Sequence, residues 1–240
     1  RGVVSTANYI ARRYGIHSAM PLRTARRLCP HGVYLTGHNR LYHEYSRRLI
    51  AMLDEYSPLV EQMGLDEAYI DLTGTEQLFG PPVQAARLIQ RRVAEELALS
   101  ISVGLATNKL VAKVASDFRK PAGFTVVPPG REEEFLAPLP VERLPGVGPT
   151  LLERLHDRGV STVGDLARIP AHLLRLSFGE TGELLAHRAR GEDLRRVTPY
   201  EEVKSISREH TFDEDVSDVS LLESTLVSLT EDVCRRLRRR

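Results

Sequence analysis

Gly64-Leu65-Asp66-Glu67-Ala68-Tyr69-Ile70-Asp71 is the stretch on which the reading of this sequence turns. Leu65, Ala68, Ile70 and the following Leu72 sit in a strand-like context, and Asp71-Leu72-Thr73-Gly74 ends it. Two adjacent carboxylates inside an apolar strand are costly unless a cation or a basic partner compensates them. Successive strand side chains point to opposite faces. Asp66 and Glu67 can therefore share one metal only at a bend or hairpin turn, which Gly64 permits. Mg²⁺ takes oxygen ligands, commonly one or two carboxylates plus substrate phosphates, and is the natural occupant. A strand end with solvated acids is the alternative for these residues taken alone. Asp71, beside Thr73 and Gly74, reads as a turn cap.

The surrounding charge supports a metal. Residues 51–80 carry seven acids and no base, whereas residues 1–50 carry nine Arg and one acid, Glu44. Residues 81–130 add seven bases against three acids. The net charge of +1 over 240 residues is thus a cancellation of opposed blocks. A basic block suits phosphate partners and a dense acidic block suits divalent cations. Together they point to a metal-dependent enzyme acting on a phosphate compound, the alternative being two solvated helix faces. The bases are 29 Arg and only 4 Lys, so each Lys is conspicuous.

Composition excludes several classes. A hydrophobic fraction of 42% with both signs of charge mixed is not that of a disordered tail. No uncharged apolar run approaches about 18 residues, so a membrane span is not expected. Two cysteines, Cys29 and Cys234, argue against a disulfide scaffold or a cysteine-built zinc site and favour a reducing, cytoplasmic setting. His17, His31, His38 and His43 lie in the basic block without a metal-ligand spacing. There is no P-loop-type glycine run. The chain opens at Arg1 with no signal segment and reads as an internal piece of something longer.

Periodicity and punctuation predict the elements. Short strands are expected at 3–5 and 33–35, and helices at 9–14 and 22–28. Leu41, Tyr45, Leu49, Met52, Leu53 and Tyr56 mark an amphipathic helix over 39–56. A strand over 61–73 follows, then a helix over 82–98, a strand over 101–106, a helix capped by Thr107-Asn108 that runs to 118, and a strand over 125–127. This order predicts mixed α and β around one sheet. Beyond residue 130 only short helices are expected, at 131–136, 147–158, 163–169, 173–176 and 181–190. A linker at 197–202, a strand at 203–212 and a helix at 221–240 close the chain.

Three further stretches carry chemistry. Ser5 and Thr6 place hydroxyls at the start of a helix, and Tyr9 and Arg12 then share one face. A helix N-terminus attracts phosphate, and an arginine one turn in adds bidentate contacts. Lys120, before Pro121-Ala122-Gly123, offers a compact ammonium to a triphosphate, an ordinary surface lysine being the alternative. Leu144-Pro145-Gly146-Val147-Gly148-Pro149-Thr150 resembles a helix-hairpin-helix element, in which Gly146 and Gly148 let backbone amides approach a nucleic-acid phosphate. Residues 159–166 repeat that logic. Such contacts read backbone, not sequence. A structural turn between helices is the alternative.

Taken together, residues 5–15, 66–71, 102–104 with Asn108-Lys109, 120–123 and 144–148 resemble the Y-family, or translesion, DNA polymerases, most nearly the bacterial DNA polymerase IV branch. Their order and spacing cover about residues 1–212. The resemblance implies an α+β fold: fingers at 1–38, a palm at 39–127, a helix-hairpin-helix thumb at 128–197, a linker at 198–206 and a partial little finger at 207–240. It implies that Asp66 and Glu67 ligate metal, that Thr6, Tyr9, Arg12 and Lys120 hold the incoming triphosphate, and that Gly146 and Gly148 grip the duplex. The implied reaction is template-directed addition of deoxynucleotides to a primer 3′ end with two Mg²⁺ ions. The implied partners are primer-template DNA, deoxynucleoside triphosphates and a sliding clamp bound beyond the C-terminus. A monomer, cytoplasmic and drawn to the nucleoid during repair, completes the expectation.

Two departures qualify it. The family's palm opens with a strand bearing another metal-binding Asp, followed by an aromatic residue that excludes ribonucleotides, and that segment would lie before Arg1. The little finger would also be cut short, and Gly64 stands where the family usually has Ser. The parent protein is therefore expected to be active and this piece weak or inactive. A non-catalytic DNA-binding relative and a palm-fold nucleotide cyclase are the competing readings. The retained site residues speak against the first, and the thumb hairpin against the second.

Overall fold

The computed structural model describes residues 2–199 and 204–239. In chain order its elements are α1 (Tyr9–Arg12), α2 (Leu22–Leu28), α3 (Asn39–Asp54), β1 (Val60–Gln62), β2 (Ala68–Ile70), α4 (Glu76–Phe79), α5 (Pro82–Leu97), β3 (Val103–Leu105), α6 (Lys109–Phe118), β4 (Phe124–Val126), α7 (Glu132–Leu136), a 3₁₀ turn (Val141–Arg143), α8 (Pro149–His156), α9 (Val163–Ala167), α10 (Ala171–Phe178), α11 (Glu180–Ala189) and α12 (Val219–Leu237). The chain forms two compact units, residues 1–39 with 201–240, and residues 40–200.

The larger unit takes in the span expected of the thumb and all but the first residue of the span expected of the palm. β1 and β2 form an antiparallel hairpin with Val60 opposite Ile70. β3 and β4 pair in parallel, with α6 as the crossover between them. The single sheet expected from the element order is thus two two-stranded sheets among the described residues. Three-residue strands make too few ladder bonds to build a wide sheet, and a shared core joins the two pairs instead. Val60, Leu72, Ile89 and Val93 are buried in that core, with Ile70, Val103 and Phe124 packed on it.

A second core runs through the thumb and takes in one face of α6: Leu110, Val111, Val114 and Ala115 are buried with Leu136, Leu144, Leu155, Leu166 and Leu185. α6 is therefore a shared wall, apolar toward the thumb core. It lies unusually close to β3. A Cβ at Gly104 would stand 2.0 Å from the Ala112 carbonyl and 2.4 Å from the Ser116 amide, so only glycine allows this approach. Asn108 caps α6 by accepting from the Val111 amide at 3.0 Å, as expected of the Thr107-Asn108 pair. The thumb helices appear where expected, within a few residues at each end.

In the smaller unit several strand expectations are overturned. Val3 forms only an isolated bridge to Pro21. Residues 33–35 are irregular, with Val33 86% and Leu35 87% exposed, so the β-prone run lacks a partner strand and a face to bury. Residues 204–212 carry no strand, and residue 203 lies outside the described residues, as do 200–202 of the expected linker. α1 is shorter than expected: the Arg13 amide already bonds the Ile10 carbonyl, and Gly15, at φ +77°, turns the chain away.

Candidate functional site: a carboxylate hairpin and a lysine-bearing helix

Asp66 and Glu67 lie at the tip of the β1–β2 hairpin, where the expected single strand is instead folded back on itself. The Met63 amide donates to the Glu67 carbonyl at 2.8 Å, closing the turn. Gly64 sits at φ +130°, a conformation that suits glycine. The Gln62 side-chain amide donates to the Gly64 carbonyl at 2.6 Å and to the Ser46 hydroxyl at 3.0 Å, tying the tip to α3. Both carboxylates are exposed. Asp71 accepts from the Thr73 amide at 2.9 Å, the turn-capping role expected of it.

α6 meets this hairpin with two lysines one turn apart, a feature the sequence reading did not assign. Lys113 pairs with Glu67, and its ammonium also lies 3.7 Å from Asp117. Asp117 in turn pairs with Lys120. Glu67, Lys113, Asp117 and Lys120 thus form a line of alternating charge, which brings the expected metal carboxylate and the expected triphosphate lysine onto one network. Burial pulls the Lys113 pKa down, but Glu67, Asp117 and Tyr69 outweigh it and hold the group above its ordinary value. Lys120 itself follows α6 at the cis Lys120–Pro121 bond. Its loop is pinned where Gln90 donates to the Ala122 and Gly123 carbonyls at 3.2 and 3.1 Å.

Lys109, one turn earlier, makes a different kind of pair. Its ammonium bonds both Glu61 oxygens, at 2.5 and 2.6 Å, with the two side chains 9% and 6% exposed. It also donates to the Arg196 carbonyl at 3.2 Å, and the Thr198 amide donates to Glu61 at 2.9 Å. Burial raises the Glu61 pKa, but Lys109 and Thr198 together bring it below the usual carboxylate value. Asp193 receives the Leu110 amide at 3.1 Å and two bonds from the Arg195 guanidinium at 2.8 Å each. The segment after α11 is therefore fastened to the start of α6. The signal for these lysines was in the composition: three of only four, Lys109, Lys113 and Lys120, cluster on or just after one helix.

The oxygen-only donor pair Asp66–Glu67 suits a hard cation that keeps waters and takes substrate phosphates, which is the coordination habit of Mg²⁺. Among the described residues no group of three or more His, Cys, Asp or Glu comes together as a metal site.

In the smaller unit, Tyr9 and Arg12 are brought together: the Arg12 guanidinium lies 5.7 Å from the Tyr9 ring centroid and donates to the Ala7 carbonyl at 2.9 Å. Thr6 is exposed and does not cap α1. Asn8 takes that role, accepting from the Ala11 amide at 2.8 Å.

The thumb hairpin has the expected turn. The Val147 amide bonds the Leu144 carbonyl at 3.1 Å, while neither the Gly146 nor the Gly148 amide meets an acceptor among the described residues. Gly148 is the N-cap of α8, without a side-chain cap, and Pro149 stands at the first helical position. The second hairpin is built differently, with Thr162 and Asp165 closing a reciprocal capping box at the start of α9.

A family model described as the impB/mucB/samB family matches residues 1–117, and its C-terminal-domain model matches residues 203–240. A model of the thumb domain of DNA polymerase iota matches residues 142–193. The DNA polymerase IV of Alkalilimnicola ehrlichii is 41% identical over 240 residues, covering 100% of this chain and 68% of the relative. The chain belongs to the Y family of DNA polymerases, in the DNA polymerase IV branch. The DNA polymerase IV of Dehalococcoides mccartyi is 44% identical over 240 residues, and the chain spans 62% of its length. Among solved structures, DinB from Sulfolobus solfataricus superposes with a TM-score of 0.75 at 31% identity, covering 82% of this chain and 58% of that one. The insertion ternary complex of Dbh DNA polymerase gives a TM-score of 0.74 at 28% identity, covering 98% of this chain and 69% of that one. The Y-family polymerase fold is thereby shared, palm and helix-hairpin-helix thumb included.

Proposed function

We propose that this chain carries the catalytic body of a template-directed DNA polymerase of the translesion type, adding deoxynucleotides to a primer 3′ end. The observation that carries the reading is the exposed Asp66–Glu67 pair at a hairpin tip, joined through Lys113 and Asp117 to Lys120. In this reading residues 1–38 are the fingers, 39–127 the palm, 128–197 the thumb, 198–206 the linker and 207–240 the opening of the little finger.

Asp66 and Glu67 would hold Mg²⁺, which when bound supplies charge neutralisation at the triphosphate and activation of the primer hydroxyl. Lys120 binds triphosphate oxygens with a point charge, and Arg12 with a planar fork that fixes their orientation. Tyr9 and Thr6 offer hydroxyls to the same group. The free Gly146 and Gly148 amides receive the duplex backbone and keep the primer end in register without reading sequence. Positioning and electrostatic stabilisation are then what the chain contributes to the chemical step.

The test is Mg²⁺-dependent primer extension, assayed for the 240-residue chain and for an extended form in which flanking segments of a relative complete it to that relative's full length. The extended form is expected to elongate the primer and the shorter one to do so weakly or not at all. Asp66→Ala and Glu67→Ala are each expected to abolish extension in the active form. Unchanged extension in either variant overturns the assignment.

A further inference from the structure

Behind the thumb hairpin stands an arginine to which neither the sequence reading nor the proposed reaction gives a task. Arg188, on α11, donates through Nη1 to the Pro145 carbonyl at 2.7 Å. The guanidinium lies directly against the next residue: a Cβ added at Gly146 would stand 2.6 Å from Nη1, and Gly146 is at φ +102°. Any other residue at 146 would strain the turn and displace the arginine. The glycine thus serves two ends at once, the turn itself and the close seat of the cation beneath it.

The charge on Arg188 is not matched. It is half-buried, yet among the described residues it has no ion pair. The nearby carboxylate, Asp193, is already occupied by Arg195 in a two-point pair and by the Leu110 amide. Burial, then the like charge of Arg195, pull the Arg188 pKa below its ordinary value, with Asp193 opposing them. A half-desolvated cation without a counter-ion is unfavourable in the chain by itself. Such violations of local consistency are expected where a ligand completes the site. The amides of Gly146 and Gly148 in the same turn meet no acceptor among the described residues, so the turn presents open donors beside this cation.

We propose that Arg188 is the positioning residue of the thumb hairpin, holding the Pro145–Gly146 turn from behind and lending it the positive charge that a nucleic-acid phosphate neutralises. The bond to the Pro145 carbonyl orients the turn. This inference rests on the duplex-gripping role given above to Gly146 and Gly148.

Three variants separate the two parts of the role. Arg188→Lys keeps the charge and a donor, Arg188→Gln keeps a donor without charge, and Arg188→Met removes both. Binding of a fluorescent primer-template duplex to the 240-residue chain is measured by anisotropy across a salt series. Arg188→Met is expected to bind about tenfold more weakly at low salt. Its log–log salt slope should also fall by about one, the loss of one phosphate-directed charge. Arg188→Gln should share the reduced slope, and Arg188→Lys should recover most of the affinity and the full slope.

Wild-type affinity and slope in Arg188→Met overturn the inference, as does an Arg188→Lys variant as weak as Arg188→Met. If thermal melting shows that Arg188→Met does not fold, equal affinity and slope in Arg188→Lys and Arg188→Gln overturn it. A wild-type chain that binds no duplex at all sinks the nucleic-acid reading itself. Wild-type binding that is indifferent to Arg188 sinks only this inference.

Discussion

Lys109 and Lys113 stand one turn apart on α6, and each meets a glutamate of the same hairpin. The two pairs nevertheless do different things. Lys109 and Glu61 are sealed at the base of the hairpin, where Thr198 and the Arg196 carbonyl complete their hydrogen bonds. Lys113 and Glu67 are at the tip, with the side chains 28% and 45% exposed. A sealed pair has no water to fall back on, so either partner alone is a buried charge. An open pair can exchange its partner for water, a cation or a phosphate at little cost. Identical residue types thus become a fastening in one place and an exchangeable contact in the other, and burial decides which.

The strongest way to break this comparison is to remove one member of the sealed pair. Glu61→Ala or Lys109→Ala is expected to destabilise the chain by about 3–5 kcal/mol in urea unfolding, because the remaining charge stays buried. Replacing both by Met is expected to recover most of that loss. Single variants that cost less than about 1 kcal/mol would place the sealed pair in the same class as the open one.

Acid sharpens the same contrast. The folded pKa of Glu61 lies below its ordinary 4.5. Its contribution to stability is therefore present above about that ordinary value and is lost as the pH falls through the lower folded value. Thermal melting between neutral pH and about pH 3 is expected to show this loss in the wild type and a flatter profile in Glu61→Gln. Equal slopes would remove Glu61 from the acid response.

The smallest effect is expected at the tip. Lys113→Met should change the unfolding free energy by less than about 1 kcal/mol, since the exposed Glu67 is readily solvated. A loss approaching that of Lys109→Ala would mean that the tip is held as rigidly as the base.

The legible parts of the molecule were those with strong local signals. Residues 61–73 read as one strand in which Asp66 and Glu67 could share a metal only at a bend, and Gly64 supplies that bend, while Pro145-Gly146-Val147-Gly148-Pro149 announced a hairpin, because glycine and proline act on the backbone of their own neighbours. The helices α3, α5 and α6 followed from apolar spacing and from Asn108 as a cap. What failed was strand pairing. Residues 33–35 and 204–212 have strand-prone composition but no partner strand among the described residues, and a strand is a property of two segments. The single palm sheet failed for the same reason. Lys109, Lys113 and Arg188 escaped assignment because an ionic side chain acquires a role only from what another part of the chain brings to it.

By itself, then, the sequence determined the order of turns and helices, the opposed charge blocks and the chemistry available at each motif, all of which are local. Tertiary structure alone decided that Glu61 is buried and Glu67 open, that Gly104 brings α6 against β3, and that Arg188 lies against Gly146 without a counter-ion among the described residues. The physical reason is that desolvation and close packing depend on segments tens of residues apart. The energy of a charge or a glycine is therefore set by its surroundings in the fold rather than by its neighbours in the chain.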